Sequence, residues 1–468
     1  MTGANGTFMD RAGIASLLAQ GGAPDGGAVE AAVAKALEGK GLELSEAAAL
    51  LRADDPAATE RILDAARRVK HAIYGRRLVL FAPVYLANHC SNNCLYCGFR
   101  KDNRAMKRRT LTMDEIRREI ELLTRQGHKR ILMLTGEHPA RSPLDYLLEA
   151  IGAAYAVKTD GGRGEIRRIN VEIAPLSVPD FKRLKGAGIG TYVLFQETYH
   201  RETYARMHPA GPKADYVFRL HAMDRALEAG LNDVGIGALL GLYDFRFEVL
   251  AMLAHARHLD RTFGIGPHTI SVPRIEPALN APAANAVPHP VADRDFQRLV
   301  AILRLAVPYT GIILSTRETA AMRNALFGLG VSQISAGSRT QPGGYGDEAA
   351  NPADEQQFAL GDTRSLDEVV RSICLQGYIP SFCTGCYRLG RVGRDFMDLA
   401  KPGDIKTHCD PNAVSTFQEY LLDYATPETR RVGEALSEAT IAGMEPAARG
   451  RAEQLVAQVR AGQRDVYC

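Results

Sequence analysis

The sequence lacks several features that would decide its class directly. Its formal net charge is only +3 over 468 residues, so it carries no electrostatic footprint for nucleic acid or for an anionic membrane surface. No apolar run approaches the roughly 20 residues that a membrane span needs, and no basic segment followed by an apolar one indicates a secretory signal. Trp is absent, which excludes nothing. We therefore expect a cytoplasmic protein that binds neither nucleic acid nor membrane.

Cysteine is scarce, and the cysteines are clustered in the sequence. Of the eight cysteines, three lie within residues 90–97, two lie at 383–386 and one at 409, whereas Cys374 and Cys468 stand apart. In a reducing compartment cysteines are thiols or metal ligands rather than disulfides, and clustering favours metal. The sequence thus predicts two metal sites and assigns no role to Cys374 or Cys468.

Short apolar runs alternate with amphipathic segments from about residue 78 onward. Near-continuous apolar runs are typical of parallel strands buried on both faces. Eight strand–helix units predict an α/β fold with a (β/α)8 barrel of the TIM type, and a doubly wound open sheet is the alternative. The runs are 78–86, 130–136, 166–174, 191–198, 233–242, 268–276, 311–316 and 331–337.

Polar residues gather at the C-terminal ends of most of these runs. This favours the barrel, because barrel enzymes build their active sites at that face.

The same pattern divides the chain into three regions. Residues 1–77 are expected to form an N-terminal helical extension, residues 78–340 the barrel, and residues 341–468 a mostly helical domain that binds an auxiliary cluster.

The first cysteine group has the spacing C-x3-C-x2-C, formed by Cys90, Cys94 and Cys97. Three thiolates suit three irons of a [4Fe–4S] cluster that normally takes four protein ligands, which leaves one iron open to a small molecule. The alternative is a zinc site completed by His89, although structural zinc sites usually show paired spacings.

This motif after the first strand of a barrel resembles the radical S-adenosylmethionine (SAM) superfamily. The resemblance implies that the open iron binds SAM and that the reduced cluster cleaves SAM to a 5′-deoxyadenosyl radical. It also implies that Tyr96 lies near the adenine, that Gly136 and Glu137 contact the SAM amino group, and that Glu172 holds the ribose. Arg206 is assigned to the same cofactor.

The second cysteine group has the spacing C-x2-C-x22-C, formed by Cys383, Cys386 and Cys409. Again three thiolates suffice for a cubane cluster with one open iron. His408 would complete a Cys3His zinc site as the alternative.

The two groups together resemble the tyrosine lyase family of [FeFe]-hydrogenase maturation (HydG). Segments 195–200, 266–280, 314–326 and 333–340 also look like family segments. The 2-iminoacetate synthase of thiamine biosynthesis is a relative that shares the barrel and the tyrosine chemistry but lacks the C-terminal cysteines.

The resemblance implies that L-tyrosine is cleaved to p-cresol and dehydroglycine, which becomes CO and cyanide at the second cluster. That [4Fe–4S] or [5Fe–5S] cluster would carry a dangling iron bridged by free cysteine, and the product would be an Fe(CO)(CN) synthon for the hydrogenase H-cluster. The segment GPHTIS makes His268 the protein ligand of this iron; an ordinary hydrogen-bonded histidine is the alternative. Because His268 begins the sixth run, the two clusters would lie at opposite ends of the barrel.

The same resemblance implies several partners: reduced ferredoxin or flavodoxin as the electron donor, other hydrogenase maturases, and the apo-hydrogenase. Tyrosine itself needs partners for its carboxylate and amine, and an arginine fork suits the carboxylate. The candidates at strand ends are Arg274, Arg317 and Arg339 for the carboxylate, and Gln196, Glu197, Thr198, Ser315 and Ser335 for the rest of the substrate.

Two other functions remain open at this stage. The first is 2-iminoacetate synthesis, which explains the strand ends but leaves Cys383, Cys386 and Cys409 unused. The second is a non-catalytic iron–sulfur carrier, which explains both cysteine groups but not Glu137 or the strand ends.

Overall fold

The computed structural model describes residues 7–20, 26–346, 352–402 and 404–468. Residues 1–6 and 21–25 of the expected N-terminal extension, and residues 347–351 and 403 of the expected C-terminal domain, lie outside the described part of the chain.

Eight parallel strands form a closed barrel. Each strand pairs with the next along the chain, and the last pairs with the first through Val79–Gln333, Leu80–Ile334 and Phe81–Ser335. The closure confirms the predicted (β/α)8 barrel over the open sheet. The strands are β1 (Arg77–Ala87), β2 (Arg130–Thr135), β3 (Arg168–Glu172), β4 (Thr191–Glu197), β5 (Asp233–Ala238), β6 (Thr269–Ser271), β7 (Gly311–Leu314) and β8 (Gln333–Ser335).

A ninth strand, β9 (Ile379–Ser381), pairs in parallel with the first residues of β1. Val79 pairs with both Gln333 of β8 and Ser381 of β9, so β9 flanks β1 on the side that β2 occupies farther along. β1 has 11 residues, which is long enough to meet β9 at its start and β2 from Ala82 onward. The pairing brings the second cysteine segment, which follows β9, to the N-terminal end of the barrel.

Helices cover the outside of the barrel and make up both terminal regions. They are α1 (Arg11–Ala19), α2 (Gly26–Leu37), α3 (Leu44–Arg52), α4 (Pro56–Tyr74), α5 (Met113–Arg125), α6 (Leu144–Ala156), α7 (Val178–Gly186), α8 (Arg201–Met207), α9 (Tyr216–Leu220), α10 (Ala222–Glu228), α11 (Phe245–Phe263), α12 (Pro282–Asn285), α13 (Asp293–Ala306), α14 (Ala320–Leu326), α15 (Leu366–Leu375), α16 (Gly385–Arg388), α17 (Arg394–Ala400), α18 (Lys406–Asp423), α19 (Pro427–Ala442) and α20 (Pro446–Arg460).

Local signals explain where several helices begin and end. α5 begins at a capping box in which Thr112 and Glu115 each bind the other's backbone N–H, and this arrangement satisfies two unpaired donors. α4 begins after Asp55, whose carboxylate accepts from Ala58 N, and it ends at Gly75 with φ +59°, a conformation that favours glycine. None of the helices in the described ranges is long and apolar enough to cross a membrane.

Candidate active site and a second cysteine site

A cavity opens at the C-terminal ends of the barrel strands, which we call the upper end. All three cysteines of the first group line it, together with residues from the ends of β1 to β8. This is where a barrel enzyme places its reacting groups. Of the predicted site residues, the lining includes Cys90, Cys94, Cys97, Tyr96, Gly136, Glu137, Glu172, Glu197, Ser315, Arg317 and Ser335.

Backbone hydrogen bonds hold the three-cysteine loop to its surroundings. Leu95 N donates to Met207 O at 3.0 Å, and Gly98 N donates to Gln357 O at 3.0 Å. A Cβ atom at Gly98 would lie 2.6 Å from the carbonyl oxygen of Gln356, so the close approach requires glycine. These contacts tie the loop to the segments around it.

The cysteines of this loop are free thiols facing one cavity. Burial raises the pKa of Cys94 to about 12 and also raises the pKa of Cys97. Bound iron would reverse this by stabilising the thiolates. In the described part of the chain, no three His, Cys, Asp or Glu side chains lie close enough together to hold a single metal ion.

Three of the residues predicted to bind SAM, Tyr96, Gly136 and Glu137, lie in or beside the loop. The hydroxyl of Tyr96 lies 2.7 Å from His208 Nε2, and Glu137 accepts a hydrogen bond from Asn92 Nδ2 at 2.6 Å. A Cβ atom at Gly136 would collide with the carbonyl oxygen of His89, so only glycine fits between the loop and β2. Glu137 is thereby placed directly beside the cysteine loop.

Glu172 closes β3 inside the same cavity. Burial and the neighbouring Glu197 raise the pKa of Glu172 to about 7. A carboxyl group with this pKa donates a hydrogen bond when it is protonated and accepts hydrogen bonds when it is ionised.

A buried ion cluster at the end of β4 involves two residues that the sequence did not suggest. Lys213 Nζ lies 2.5 Å and Arg219 Nη2 lies 3.5 Å from Glu197 Oε1. Burial opposes ionisation, but these two cations lower the pKa of Glu197. Glu197 has φ +71°, an uncommon conformation for a residue with a side chain. Lys213 and Arg219 follow β4 by many residues and carry no motif, so no local signal indicated them.

Three further predicted substrate residues line the upper cavity: Ser315, Arg317 and Ser335. The Arg317 guanidinium carbon lies 3.3 Å from the centroid of the Phe358 ring, so a cation–π contact orients it. Ser335 Oγ accepts from Thr316 N at 3.1 Å. Arg317 is thus the predicted arginine whose position suits a substrate carboxylate.

The other predicted residues lie outside this lining, each held by a different partner. Arg274 Nη1 pairs with Asp293 at 2.7 Å, and Arg274 also pairs with Glu318, so its charge is already neutralised. The remaining contacts are Thr198 Oγ1 to Glu248 Oε1 at 2.5 Å, Gln196 Nε2 to Tyr216 O at 3.5 Å, Arg339 Nη1 to Ser338 O at 3.2 Å, and Arg206 Nη2 to Thr203 Oγ1 at 2.9 Å.

A second cavity lies at the N-terminal ends of the strands, which we call the lower end. Cys383, Cys386, Cys409 and His268 line it together, although they are far apart in the sequence. Cys383 follows β9, Cys386 lies in α16, and Cys409 lies in the first turn of α18. The lower cavity therefore brings together all four residues predicted for the second metal site.

Cationic groups surround the second cysteine group. Arg130 Nη2 donates to Cys383 O at 2.7 Å, and Arg77 also lines the cavity. A hydrogen bond from Cys386 lowers the pKa of the Cys409 thiol, and both side chains line the lower cavity. Such a donor set fits an iron–sulfur cluster, whose thiolate ligands carry negative charge.

His268 lies at the start of β6 with its ring against Phe396, with 4.5 Å between ring centroids. Burial lowers the pKa of His268, which favours the neutral ring that binds metal. Its Nδ1 atom is buried, has no hydrogen-bond partner among the described residues, and lies 3.8 Å from Asp233 Oδ1. The ordinary hydrogen-bonded histidine of the alternative would satisfy that nitrogen.

The two unassigned cysteines have different surroundings. Cys374 is buried on α15 and contributes to the main hydrophobic core. Cys468 lies near the lower site, with its Sγ 3.9 Å from His408 O and its backbone N–H donating to Asn412 Oδ1 at 2.9 Å.

Comparison with known families agrees with this geometry. The radical SAM superfamily model matches residues 84–256, and the model of the biotin and thiamin synthesis associated domain matches residues 271–379. The 2-iminoacetate synthase of Escherichia coli (strain K12) is 31% identical over 369 residues, which is 79% of this chain and 94% of that protein. The chain belongs to the radical SAM superfamily.

Solved structures extend the similarity to the whole chain. The crystal structure of HydG, a maturase of the [FeFe]-hydrogenase, has a TM-score of 0.94 and 46% identity, and it covers 98% of this chain and 100% of that one. HydG from Carboxydothermus hydrogenoformans has a TM-score of 0.79 and 42% identity, with coverage of 92% and 93%. These similarities support a radical SAM maturase.

Proposed function

We propose that the chain is a radical SAM tyrosine lyase of hydrogenase maturation. It cleaves L-tyrosine to p-cresol and dehydroglycine at the upper site, and dehydroglycine yields CO and cyanide at the lower site. The iron that carries these two ligands is the cargo delivered to the [FeFe]-hydrogenase. The observation that carries the proposal is the presence of two three-cysteine cavities at opposite ends of one barrel.

In the upper cavity, Cys90, Cys94 and Cys97 would hold the first cluster. When bound, the reduced cluster supplies the electron that cleaves SAM to a 5′-deoxyadenosyl radical. Glu137, fixed by Asn92, holds the SAM amino group beside the cysteine loop. Tyr96, fixed by His208, borders the adenine.

Tyrosine occupies the part of the upper cavity nearer the barrel axis. Arg317, held against Phe358, binds its carboxylate, because a guanidinium matches a carboxylate with two parallel hydrogen bonds. The Glu197 carboxylate, kept ionised by Lys213 and Arg219, and Ser315 orient the amine. The ion cluster keeps this part of the site rigid and charged.

In the lower cavity, Cys383, Cys386 and Cys409 would hold the second cluster, and the neutral ring of His268 would bind the cargo iron. Dehydroglycine splits into hydrogen cyanide, CO and water, which balances all of its atoms. Arg130 supplies positive charge for the carboxylate that enters this cavity, because Arg77 already pairs with Asp410 at 3.2 Å. Free cysteine would be a further component of this site.

A second candidate is 2-iminoacetate synthesis, which the 31% identity to the Escherichia coli enzyme favours. That enzyme matches 79% of the chain, and the upper site would suit its tyrosine chemistry equally. It offers no use for the lower cavity. A non-catalytic iron–sulfur carrier, in turn, offers no use for the Glu197 ion cluster.

The test is an anaerobic reaction of iron-reconstituted protein with SAM, L-tyrosine and dithionite, in which p-cresol and CO are measured together. Both products support the maturase. p-Cresol without CO, from protein shown spectroscopically to hold both clusters, supports 2-iminoacetate synthesis. Neither product from such protein contradicts the lyase.

A further inference from the structure

A groove outside the two cavities concentrates positive charge. It lies between the C-terminal half of α4, the end of α14 and the segment that leads into β9. Its lining contains Arg67, Arg68 and Arg76 together with Lys70 and His71, and none of the described lining residues is acidic. The whole chain has a formal net charge of only +3, so three arginines without a lining carboxylate are a local excess. We call this surface the basic groove.

The end of helix α4 does not explain these charges. Cations stabilise the C-terminal end of a helix through its dipole, but this effect is confined to the last turn. Arg67 and Arg68 lie well before the end of α4 at Tyr74, and Arg76 lies beyond it. Arg67 pairs with Glu60 at 3.0 Å, whereas Arg68 and Arg76 are exposed and form no ion pair with the described residues. These two arginines are available to a partner.

Lys70 forms the floor of the groove rather than its charged surface. The residue is only 2% exposed, and its Nζ atom donates to Gly75 O at 2.7 Å and lies 4.5 Å from the centroid of the Tyr378 ring. Burial and the neighbouring Arg77 lower the pKa of Lys70 well below its ordinary value. The exposed arginines therefore give the groove its positive charge.

An apolar side chain lies beside these charges. Leu375, the last residue of α15, is 70% exposed, the largest exposed fraction among the large hydrophobic residues that the structure describes. The next residue, Gln376, lines the groove, and so does Tyr378. Arginine and tyrosine are enriched in protein interfaces, which combine apolar contacts with a polar rim. A phosphate-bearing polymer would use the arginines but not the leucine, so the combination favours a protein partner.

The basic groove and the lower cavity are separated by one peptide bond. Arg76 lines the groove, whereas Arg77 lines the lower cavity. Arg77 pairs at 3.2 Å with Asp410, which follows the proposed cluster ligand Cys409. A Cβ atom at Gly75, another lining residue of the groove, would lie 3.2 Å from Asp410 Oδ1. A partner in the groove would therefore bind beside the second cysteine group.

Resting on the proposed function, we propose that the basic groove is the docking surface for an acidic protein that receives the cargo iron from the lower cavity. Carboxylates of that protein pair with Arg68 and Arg76, and one of its apolar side chains covers Leu375. Complementary charge steers the partner to this end of the barrel. Neither arginine lines a cavity, so docking and chemistry use different residues.

Binding of fluorescein-labelled probes to the full chain, measured by anisotropy, tests the surface directly. The probe is a glutamate-rich peptide with leucine at every fourth position. Arg68→Glu/Arg76→Glu should weaken its binding by at least about tenfold, because like charges replace ion pairs. The matched control is Arg261→Glu/Arg431→Glu, which makes the same charge change at exposed positions on α11 and α19. It should bind the probe within about twofold of the wild type, because salt screens distant charges.

Leu375→Ser separates a protein partner from a simple polyanion. This change should weaken binding of the leucine-containing peptide by about tenfold and leave binding of a glutamate–glycine peptide unchanged. A thymidine oligonucleotide of the same charge is the third probe. If it binds as tightly as the leucine-containing peptide, and Leu375→Ser weakens neither, the protein partner is overturned in favour of a phosphate polymer.

Hydrogenase activation distinguishes a failed groove from a failed lyase. With the other maturases and apo-hydrogenase present, Arg68→Glu/Arg76→Glu should form p-cresol and CO within about twofold of the wild type but activate hydrogenase about tenfold less. Full activation by this variant, or probe binding equal to that of the control, would overturn the docking surface. Arg68→Gln/Arg76→Gln takes its place if the glutamates prevent folding. Absence of p-cresol from the wild type would contradict the lyase alone, because probe binding does not depend on activity.

Discussion

The upper and lower cavities contain the same number of cysteines but differ in the charges that line them. Three carboxylates and three cations line the upper cavity: Glu137, Glu172, Glu197, Lys213, Arg219 and Arg317. The lower cavity is lined by Arg77 and Arg130, and none of its described lining residues is acidic. A balanced site suits zwitterions such as SAM and tyrosine, whereas a cationic site suits anionic clusters and small anions.

The two sites also differ in how the chain builds them. The upper cysteines lie within one loop of eight residues, 90–97, which is fixed by backbone hydrogen bonds. The lower cysteines come from a loop after β9, from α16 and from α18. The upper site is therefore a local structure added to a barrel strand, whereas the lower site exists only when the C-terminal helices are packed against β1 and β9.

The largest expected effect comes from removing an upper cysteine. Cys94→Ser should lower p-cresol and CO together by at least about 100-fold, because losing a ligand costs at least as much as losing the partner that supports one. Measuring both products in one anaerobic reaction checks this. Continued p-cresol formation by Cys94→Ser would break the assignment of the upper site.

The next prediction concerns His268, the proposed histidine ligand in the lower cavity. His268→Ala should keep p-cresol formation and lower CO by about tenfold or more, with loss of the cargo iron. His408→Ala is the matched control, because His408 neighbours Cys409 but does not line the cavity. Equal iron loss in both variants would favour the Cys3His zinc alternative.

The upper ion cluster should show strong energetic coupling. Lys213→Met leaves Glu197 buried and short of its nearer cation, which should lower the free energy of unfolding by about 3 kcal/mol. The double variant Glu197→Gln/Lys213→Met should recover part of this loss, because it removes the underpaired carboxylate but leaves buried Arg219 without its ion-pair partner. Chemical denaturation of the metal-free wild type, both single variants and the double variant measures these free energies of unfolding. Additive losses would show that the two side chains do not interact.

A smaller effect concerns the pH dependence of stability at Glu248, which lines neither cavity. Burial raises the pKa of Glu248 from its ordinary value of 4.5 to about 7. The folded protein then binds more protons than the unfolded chain between these values, so stability falls as pH rises through this window. Across the whole window, this shift corresponds to a loss of free energy of unfolding on the order of 3 kcal/mol. The loss is gradual, so a change of one pH unit gives only a part of it.

The stability difference between wild type and Glu248→Gln, measured by denaturation from pH 5 to pH 8, isolates this contribution. The wild type should lose stability relative to the variant as pH rises. A difference that is independent of pH would show that Glu248 titrates normally in the folded protein.

Much of this architecture could be predicted from the sequence because it depends on local patterns. All eight apolar runs became barrel strands, and both cysteine groups were recognised from their spacing. Arg317 and Arg274 looked equivalent, since both follow strands. The structure separates them, because Glu318 and Asp293 neutralise Arg274 whereas Arg317 faces the cavity.

The residues that the sequence did not indicate act through contacts that span the chain. Lys213 reaches Glu197 from the segment beyond α8, and Arg130 reaches Cys383 across 253 positions. Such positions depend on tertiary packing and leave no periodic pattern or motif.

The central claim is that the two ends of one barrel carry out consecutive steps, and Cys386→Ser tests it most directly. Its p-cresol and CO should be measured in one anaerobic reaction beside Cys374→Ser, which changes a core cysteine that lines neither cavity. Cys386→Ser is expected to form p-cresol at the rate of the Cys374→Ser control but to form almost no CO. Equal CO from the two variants, or loss of p-cresol in Cys386→Ser alone, would contradict it.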